Sequence, residues 1–182
     1  GFKSFAEKTN FLIEDGLTGI VGPNGCGKSN IVESLRWVMG ETSAKSMRGS
    51  GMEDVIFSGT SNKASKNIAE VSIEVENKDK EGPIQYRELE QIQVRRKIEK
   101  DKGSKFYIND KEVRARDAQM FFADLSTGAH SPSMISQGRI GALVTAKPTD
   151  RRAILEEAAG ISGLHVRRHE AELRLGAAEN NL

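Results

Sequence analysis

Apolar positions change period several times along the chain, and each change predicts an element. Leu17-Thr18-Gly19-Ile20-Val21 is a short apolar run with β-branched residues, which predicts a buried strand. Phe11 and Ile13 predict a strand before it, joined through a turn at Asp15-Gly16. From Ile31 the period becomes helical through Leu35 and Val38, and Gly40 follows as a stop. Strict alternation then sets Val71, Ile73 and Val75 against Ser72, Glu74 and Glu76, and Ile92, Val94, Arg96 and Ile98 repeat it. Phe106-Tyr107-Ile108, Asn109-Asp110 and Lys111-Glu112-Val113 read as a hairpin about a tight turn. Successive strands with short connections predict an antiparallel sheet, so the whole is expected to be α/β with a mixed sheet.

Helical spacing returns over residues 118–125, with Met120, Phe121 and Leu125 as core positions. Pro148-Thr149-Asp150 opens a further helix with Asp150 as N-cap and Ile154, Leu155, Ala158 and Ala159 as its buried face. Leu164, Arg168, Ala171, Leu175, Ala178 and Leu182 fall at alternating four- and three-residue spacing, the seam of a coiled coil or the stripe of a surface helix. A seam without a cap predicts that the chain continues, and the opening Gly1-Phe2-Lys3-Ser4-Phe5 predicts a strand ahead of it.

Between the predicted strand and the first helix stands Gly22-Pro23-Asn24-Gly25-Cys26-Gly27-Lys28-Ser29, then Asn30. It meets every fixed position of G-x-x-x-x-G-K-[ST], a phosphate-binding loop, in the order strand, glycine loop, helix that the motif requires. Glycines let the backbone approach a polyphosphate with its N–H groups inward, and the helix start adds its positive dipole end. Lys28 offers a compact cation to the β- and γ-phosphates, and the Ser29 hydroxyl suits Mg²⁺. ATP or a similar nucleotide is the expected ligand. Cys26 contributes a backbone N–H there; a thiol beside a helix start also fits a redox switch.

Composition narrows the setting. The 182 residues suffice for one domain, and 27 basic against 26 acidic side chains leave any nucleic-acid partner to a local patch. No apolar run approaches the ~20 residues of a membrane span, and no basic-then-apolar leader is present. One cysteine excludes an internal disulfide and fits a reducing cytoplasm. Arg95, Arg96, Lys97, Lys100, Lys102 and Lys105, with Arg114 and Arg116 beyond, form a basic cluster that reads either as a DNA-backbone contact or as a solvated strand edge. The glycine-rich stretch 41–51 is a surface loop from which Arg48 reads equally as an arginine finger or as a solvated side chain. Met120-Phe121-Phe122-Ala123-Asp124 imitates a Walker B strand, but its apolar spacing is helical. His130, His165 and His169 lack metal-ligand spacing.

Taken together, several stretches resemble the amino-terminal half of the ABC-type ATPase head of bacterial-type SMC (structural maintenance of chromosomes) proteins. They are Gly1-Phe2-Lys3-Ser4-Phe5, the loop from Gly22 to Asn30, Ser43-Ala44-Lys45-Ser46-Met47-Arg48-Gly49, Asp54-Val55-Ile56-Phe57-Ser58-Gly59, Ile135-Ser136-Gln137-Gly138, and Arg151-Arg152 with Glu156-Glu157-Ala158-Ala159-Gly160-Ile161. The resemblance implies that Gln137 completes the Mg²⁺ shell, that Arg48 reaches the nucleotide and links DNA sensing to hydrolysis, and that Lys3 and Ser4 lie near it. It implies a head lobe over residues 1–163 and the root of a coiled-coil arm over 164–182. The signature motif, the Walker B aspartate and the catalytic glutamate would belong to the carboxy-terminal half of the head. Implied partners are that half, a second protomer, a kleisin-type subunit and DNA, in the cytoplasm and without a membrane. The parent would be an ATPase whose head engagement drives chromosome condensation and partition, this piece alone being inactive. A coiled-coil ATPase of double-strand-break repair, a self-contained small phosphotransferase and a nucleotide-gated scaffold are the rival readings.

Overall fold

The computed structural model describes residues 1–78, 80, 83–125, 134–135, 144–159 and, further on, 168, 172, 175, 176 and 178. Four strands form a meander in the order β1 (Ile68–Glu76), β2 (Gln91–Glu99), β3 (Gly103–Ile108) and β4 (Lys111–Val113), each pair antiparallel. The period-two pattern does what it predicts: Ile92, Val94, Arg96 and Ile98 of β2 are buried while Gln93, Arg95 and Lys97 face out. Asn109 and Asp110 both take positive φ (46° and 63°), the backbone of the two-residue turn that suits the strand twist.

The inner face of the sheet is covered by α1 (Lys28–Val38) and α2 (Ala115–Asp124). Adjacent residues of α1 enter different clusters. Val38 joins Ile92, Val94, Phe106, Ile108, Ala118, Phe121 and Phe122, whereas Trp37 joins Phe2, Met47, Val55, Ile56, Ala69 and Ile98. The phosphate-loop helix is thereby wedged between two halves of one core. That packing holds the carboxy-terminal end of the helix, and the loop lies at the opposite end.

Several expectations need correction. Residues 11–13 and 17–21 are not strands: Leu17 is 98% and Val21 91% exposed, and Gly16 turns (φ 87°) without pairing the flanks. A buried strand of parallel type needs a neighbour on each side, and among the described residues no strand pairs with this run. The described sheet is therefore antiparallel throughout, without the parallel part of the expected mixed sheet. Helix α2 starts before residue 118, where Asp117 accepts the Arg114 N–H at 3.1 Å, and it buries Phe122 while Met120 and Leu125 are half-buried. The Walker B look-alike lies within α2 and is helical.

Helix α3 (Pro148–Ala158) begins with proline at its first position, and Lys147 rather than Asp150 is its N-cap: the Lys147 carbonyl accepts from Asp150 and Arg151. Its Leu155 is 69% exposed, because no described element packs on that face. Of the predicted seam, Arg168, Leu175 and Ala178 are helical; Leu164, Ala171 and Leu182 fall outside the described residues, as do His130, His165 and His169. No helix among the described residues is long and apolar enough to cross a membrane.

Candidate functional site

The loop before α1 has the shape its residue types predict. Gly27 takes φ 92°, and a Cβ there would stand 3.0 Å from Ser4 Oγ and 3.5 Å from the Phe5 ring, so conformation and space both require glycine. The Gly27 carbonyl accepts the N–H groups of Asn30 (2.9 Å) and Ile31 (3.2 Å), which starts the helix. Among the described residues, the N–H groups of Gly25, Cys26, Gly27, Lys28 and Ser29 have no acceptor. Consecutive free donors at a helix start suit an anion such as a polyphosphate. Lys28 folds over the loop, its Nζ donating to the Gly22 and Pro23 carbonyls at 2.6 Å each and standing 4.0 Å from Cys26 Sγ. Asn24, Cys26 and Ser29 are exposed at the mouth. The donor set fits a nucleotide triphosphate with Mg²⁺, the metal taking Ser29 Oγ and phosphate oxygens rather than a protein cage.

Two other segments converge on the second turn of α1. Phe2 forms bridges with Phe5 and Ile56 and stacks on Trp37 (centroids 5.4 Å apart), which fixes the turn carrying Lys3 and Ser4. Asn30 Nδ2 donates to Ser4 Oγ at 2.8 Å, and Lys3 Nζ donates to Glu33 Oε2 at 2.5 Å and to the Met47 carbonyl. The stretch 41–51 is anchored as well: a 3₁₀ turn (Lys45–Met47) buries Met47 to 1% exposure, and Arg48 follows in the left-handed region (φ 53°). That backbone costs on the order of 1 kcal/mol for a residue with a Cβ. It aims the guanidinium back at α1, where Nη2 donates to Asn30 Oδ1 at 2.8 Å and Nε pairs with Glu33.

The structure thus brings Lys3, Ser4 and Arg48 to the second turn of α1, beside Asn30 and the loop from Gly22 to Ser29. Gln137 lies outside the described residues. Sequence reasoning missed Glu33. Its signal was a carboxylate among Ile31, Val32 and Leu35, three positions after Asn30 and hence on the same face.

The stretch 41–51 is closed by Asp54, whose Oδ2 accepts from the Ser50 (2.6 Å) and Gly51 (3.0 Å) N–H groups. Those backbone hydrogen bonds hold the Asp54 carboxyl below the usual aspartate value of 3.8. A depressed folded pKa contributes stability that is present above the unfolded value and lost as pH falls through the folded one. The Ser50 and Gly51 amide resonances are therefore expected to report release of this turn below about pH 3.8, and to stay unchanged over that range in Asp54→Asn. An identical acid transition in both proteins would exclude this anchor.

The expected DNA contacts need a correction. Arg96 is 3% exposed and faces the core, so it is not available to a phosphate backbone. Its Nη1 donates to the Trp37 and Glu41 carbonyls at 2.7 Å, its Nε to Ser104 Oγ at 2.8 Å, and it lies between the Trp37 and Phe106 rings, 4.6 Å from each centroid. Burial pulls its pKa down to about 10, partly offset by Glu41. Arg95 and Lys97 do face outward, but Arg95 pairs with Asp110 at 2.8 Å, and Lys102 and Lys105 pair with Glu99 and Glu112. Alternation placed Arg96 inside; its charge alone had placed it outside.

With this geometry in hand, the sequence matches the family described as RecF/RecN/SMC N terminal domain over residues 1–139. It is 57% identical over 182 residues to the chromosome partition protein Smc of Rhodopseudomonas palustris, spanning all of this chain and 16% of that protein. Among solved structures it superposes on an Smc head bound to the C-winged helix domain of ScpA with a TM-score of 0.80 at 31% identity, over 89% of this chain and 49% of that one. It also superposes on a structure described under ATP-driven dimerization and DNA stimulated activation of SMC ATPases, with a TM-score of 0.68 at 30% identity, over 80% and 86% of the two chains.

Proposed function

The chain belongs to the RecF/RecN/SMC N terminal domain family, and from that premise we propose that it is the nucleotide-cradling half of a chromosome-partitioning SMC ATPase head. The reading rests above all on five adjacent unpartnered N–H donors at the start of α1, beneath the Lys28 ammonium. Those donors and Lys28 take the polyphosphate, and Ser29 with Gln137 holds Mg²⁺, which neutralises phosphate charge as it develops. Arg48 and Asn30 flank the γ-phosphate end, with Lys3 and Ser4 behind them. ATP binding then brings two heads together, and hydrolysis releases them.

The proposal extends to the whole protein, of which the chain spans about a sixth (16% of the curated relative's length). The rest of the head supplies the groups that activate water, a second protomer supplies the facing surface, and a kleisin-type subunit and DNA are the further partners. DNA contact through this lobe falls to the outer sheet face with Arg95 and Lys97. Residues 1–163 are the lobe, and 164–182 begin a coiled-coil arm. The cytoplasm is the expected compartment.

Steady-state ATP hydrolysis tests the reading. The chain alone is expected to turn over no faster than background, and activity is expected on mixing with a separately expressed carboxy-terminal head half. Full turnover by the chain alone would mean that it contains the water-activating group, and the split-site reading would be abandoned.

A further inference from the structure

One residue of the charged cluster beside the phosphate loop has no part in holding the nucleotide. Glu33 sits one turn beyond Asn30 and is only 7% exposed. Its two oxygens are divided between segments: Oε2 accepts from Lys3, on the turn 2–5, and Oε1 forms an ion pair with Arg48, which follows the 3₁₀ turn. A carboxylate buried this deeply is tolerated only when it is paired. The converse matters more. The Arg48 side chain is 58% exposed and leaves a left-handed backbone position. Among the described residues, its two-point hold on Glu33 Oε1 and Asn30 Oδ1, both on α1, is what restricts its rotamers.

We propose that Glu33 is a positioning residue that acts through Arg48: its buried carboxylate keeps the guanidinium against the second turn of α1, where it meets the γ-phosphate of a nucleotide on the loop. This rests on the nucleotide reading above. The charge of Glu33 separates it from a residue of merely local importance. A carboxylate near a polyphosphate repels it, so if Arg48 did not depend on Glu33, Glu33→Gln would tighten ATP and ADP alike. Positioning produces the opposite asymmetry, in which ATP loses affinity and ADP does not.

Competition titrations of the chain with a fluorescent ATP analogue, against ATP and ADP with Mg²⁺, decide between these. The expected ATP-over-ADP preference falls about tenfold in Glu33→Gln, the size of one charge-assisted contact. Glu33→Asp, which keeps the charge, restores most of it. Arg48→Gln shows the same loss, and adding Glu33→Gln to it costs nothing further. The proposal is overturned by a folded Glu33→Gln protein with the wild-type preference, by losses that multiply in the double variant, or by a wild-type chain that binds both nucleotides equally. A wild-type chain that binds neither nucleotide overturns the nucleotide reading itself. Should Glu33→Gln fail to fold, Lys3→Gln/Glu33→Gln removes both buried charges together, and the same tenfold loss is expected relative to Lys3→Gln.

Discussion

Lys28→Ala is expected to weaken MgATP binding about 100-fold while leaving the melting temperature within about 4 °C of wild type. The first figure follows from removing an ammonium that makes charge-assisted hydrogen bonds to phosphate oxygens, roughly 1.5–3 kcal/mol, at about 1.4 kcal/mol per decade. Binding is reduced rather than abolished because the five backbone donors from Gly25 to Ser29 do not depend on the side chain. The second figure follows from where Lys28 sits. Its contacts are with the Gly22 and Pro23 carbonyls at the exposed loop and not with either core cluster, so the loss to stability is about 1 kcal/mol. Lys28→Arg is not expected to rescue binding, since a planar fork is larger than the compact charge that the loop encloses. Calorimetric titration beside a thermal melt checks both parts. An ATP affinity within threefold of wild type would remove Lys28 from the site.

The phosphate loop was legible because its function is local: eight consecutive residues from Gly22 to Ser29 make the cradle, and glycine, lysine and serine have narrow physical uses there. The end of the meander was legible for a similar reason, since the short connections from β2 to β3 and from β3 to β4 leave those strands little choice but to pair. What failed to show was non-local. Residues 17–21 have the composition of a buried strand, yet composition cannot supply a neighbouring strand, and among the described residues none is present. Glu33 was passed over, and Arg96 was counted in the basic cluster although alternation also set it beside Ile92, Val94 and Ile98. Both are buried because partners from distant segments answer them: Lys3 and Arg48 for the carboxylate, the Trp37 and Glu41 carbonyls for the guanidinium. No window of the sequence contains such pairings.

Arg96→Ala is expected to destabilise the chain by about 3–5 kcal/mol, a large part of the 5–15 kcal/mol that holds a domain together. Three losses combine. The guanidinium donates to the Trp37 carbonyl at the end of α1, which also accepts the Gly40 N–H at 3.1 Å, and to the Glu41 carbonyl just beyond it. Removing a buried charged donor takes away its charge-assisted hydrogen bonds to both oxygens. Deleting the side chain also opens a void between Trp37 and Phe106, where the two halves of the core meet. Arg96→Lys is not a remedy, because one ammonium cannot lie flat between two rings while serving two carbonyls. Arg96→Met fills most of the space but restores none of the guanidinium's hydrogen bonds, so its cost should fall between wild type and alanine. Urea denaturation of the three variants orders them, and DNA titration separates this structural role from a surface one. At a temperature where Arg96→Met remains folded, its DNA affinity and salt dependence should match wild type, whereas loss of a phosphate contact lowers the salt slope by about one. A variant that melts like wild type yet binds DNA more weakly would return Arg96 to the surface.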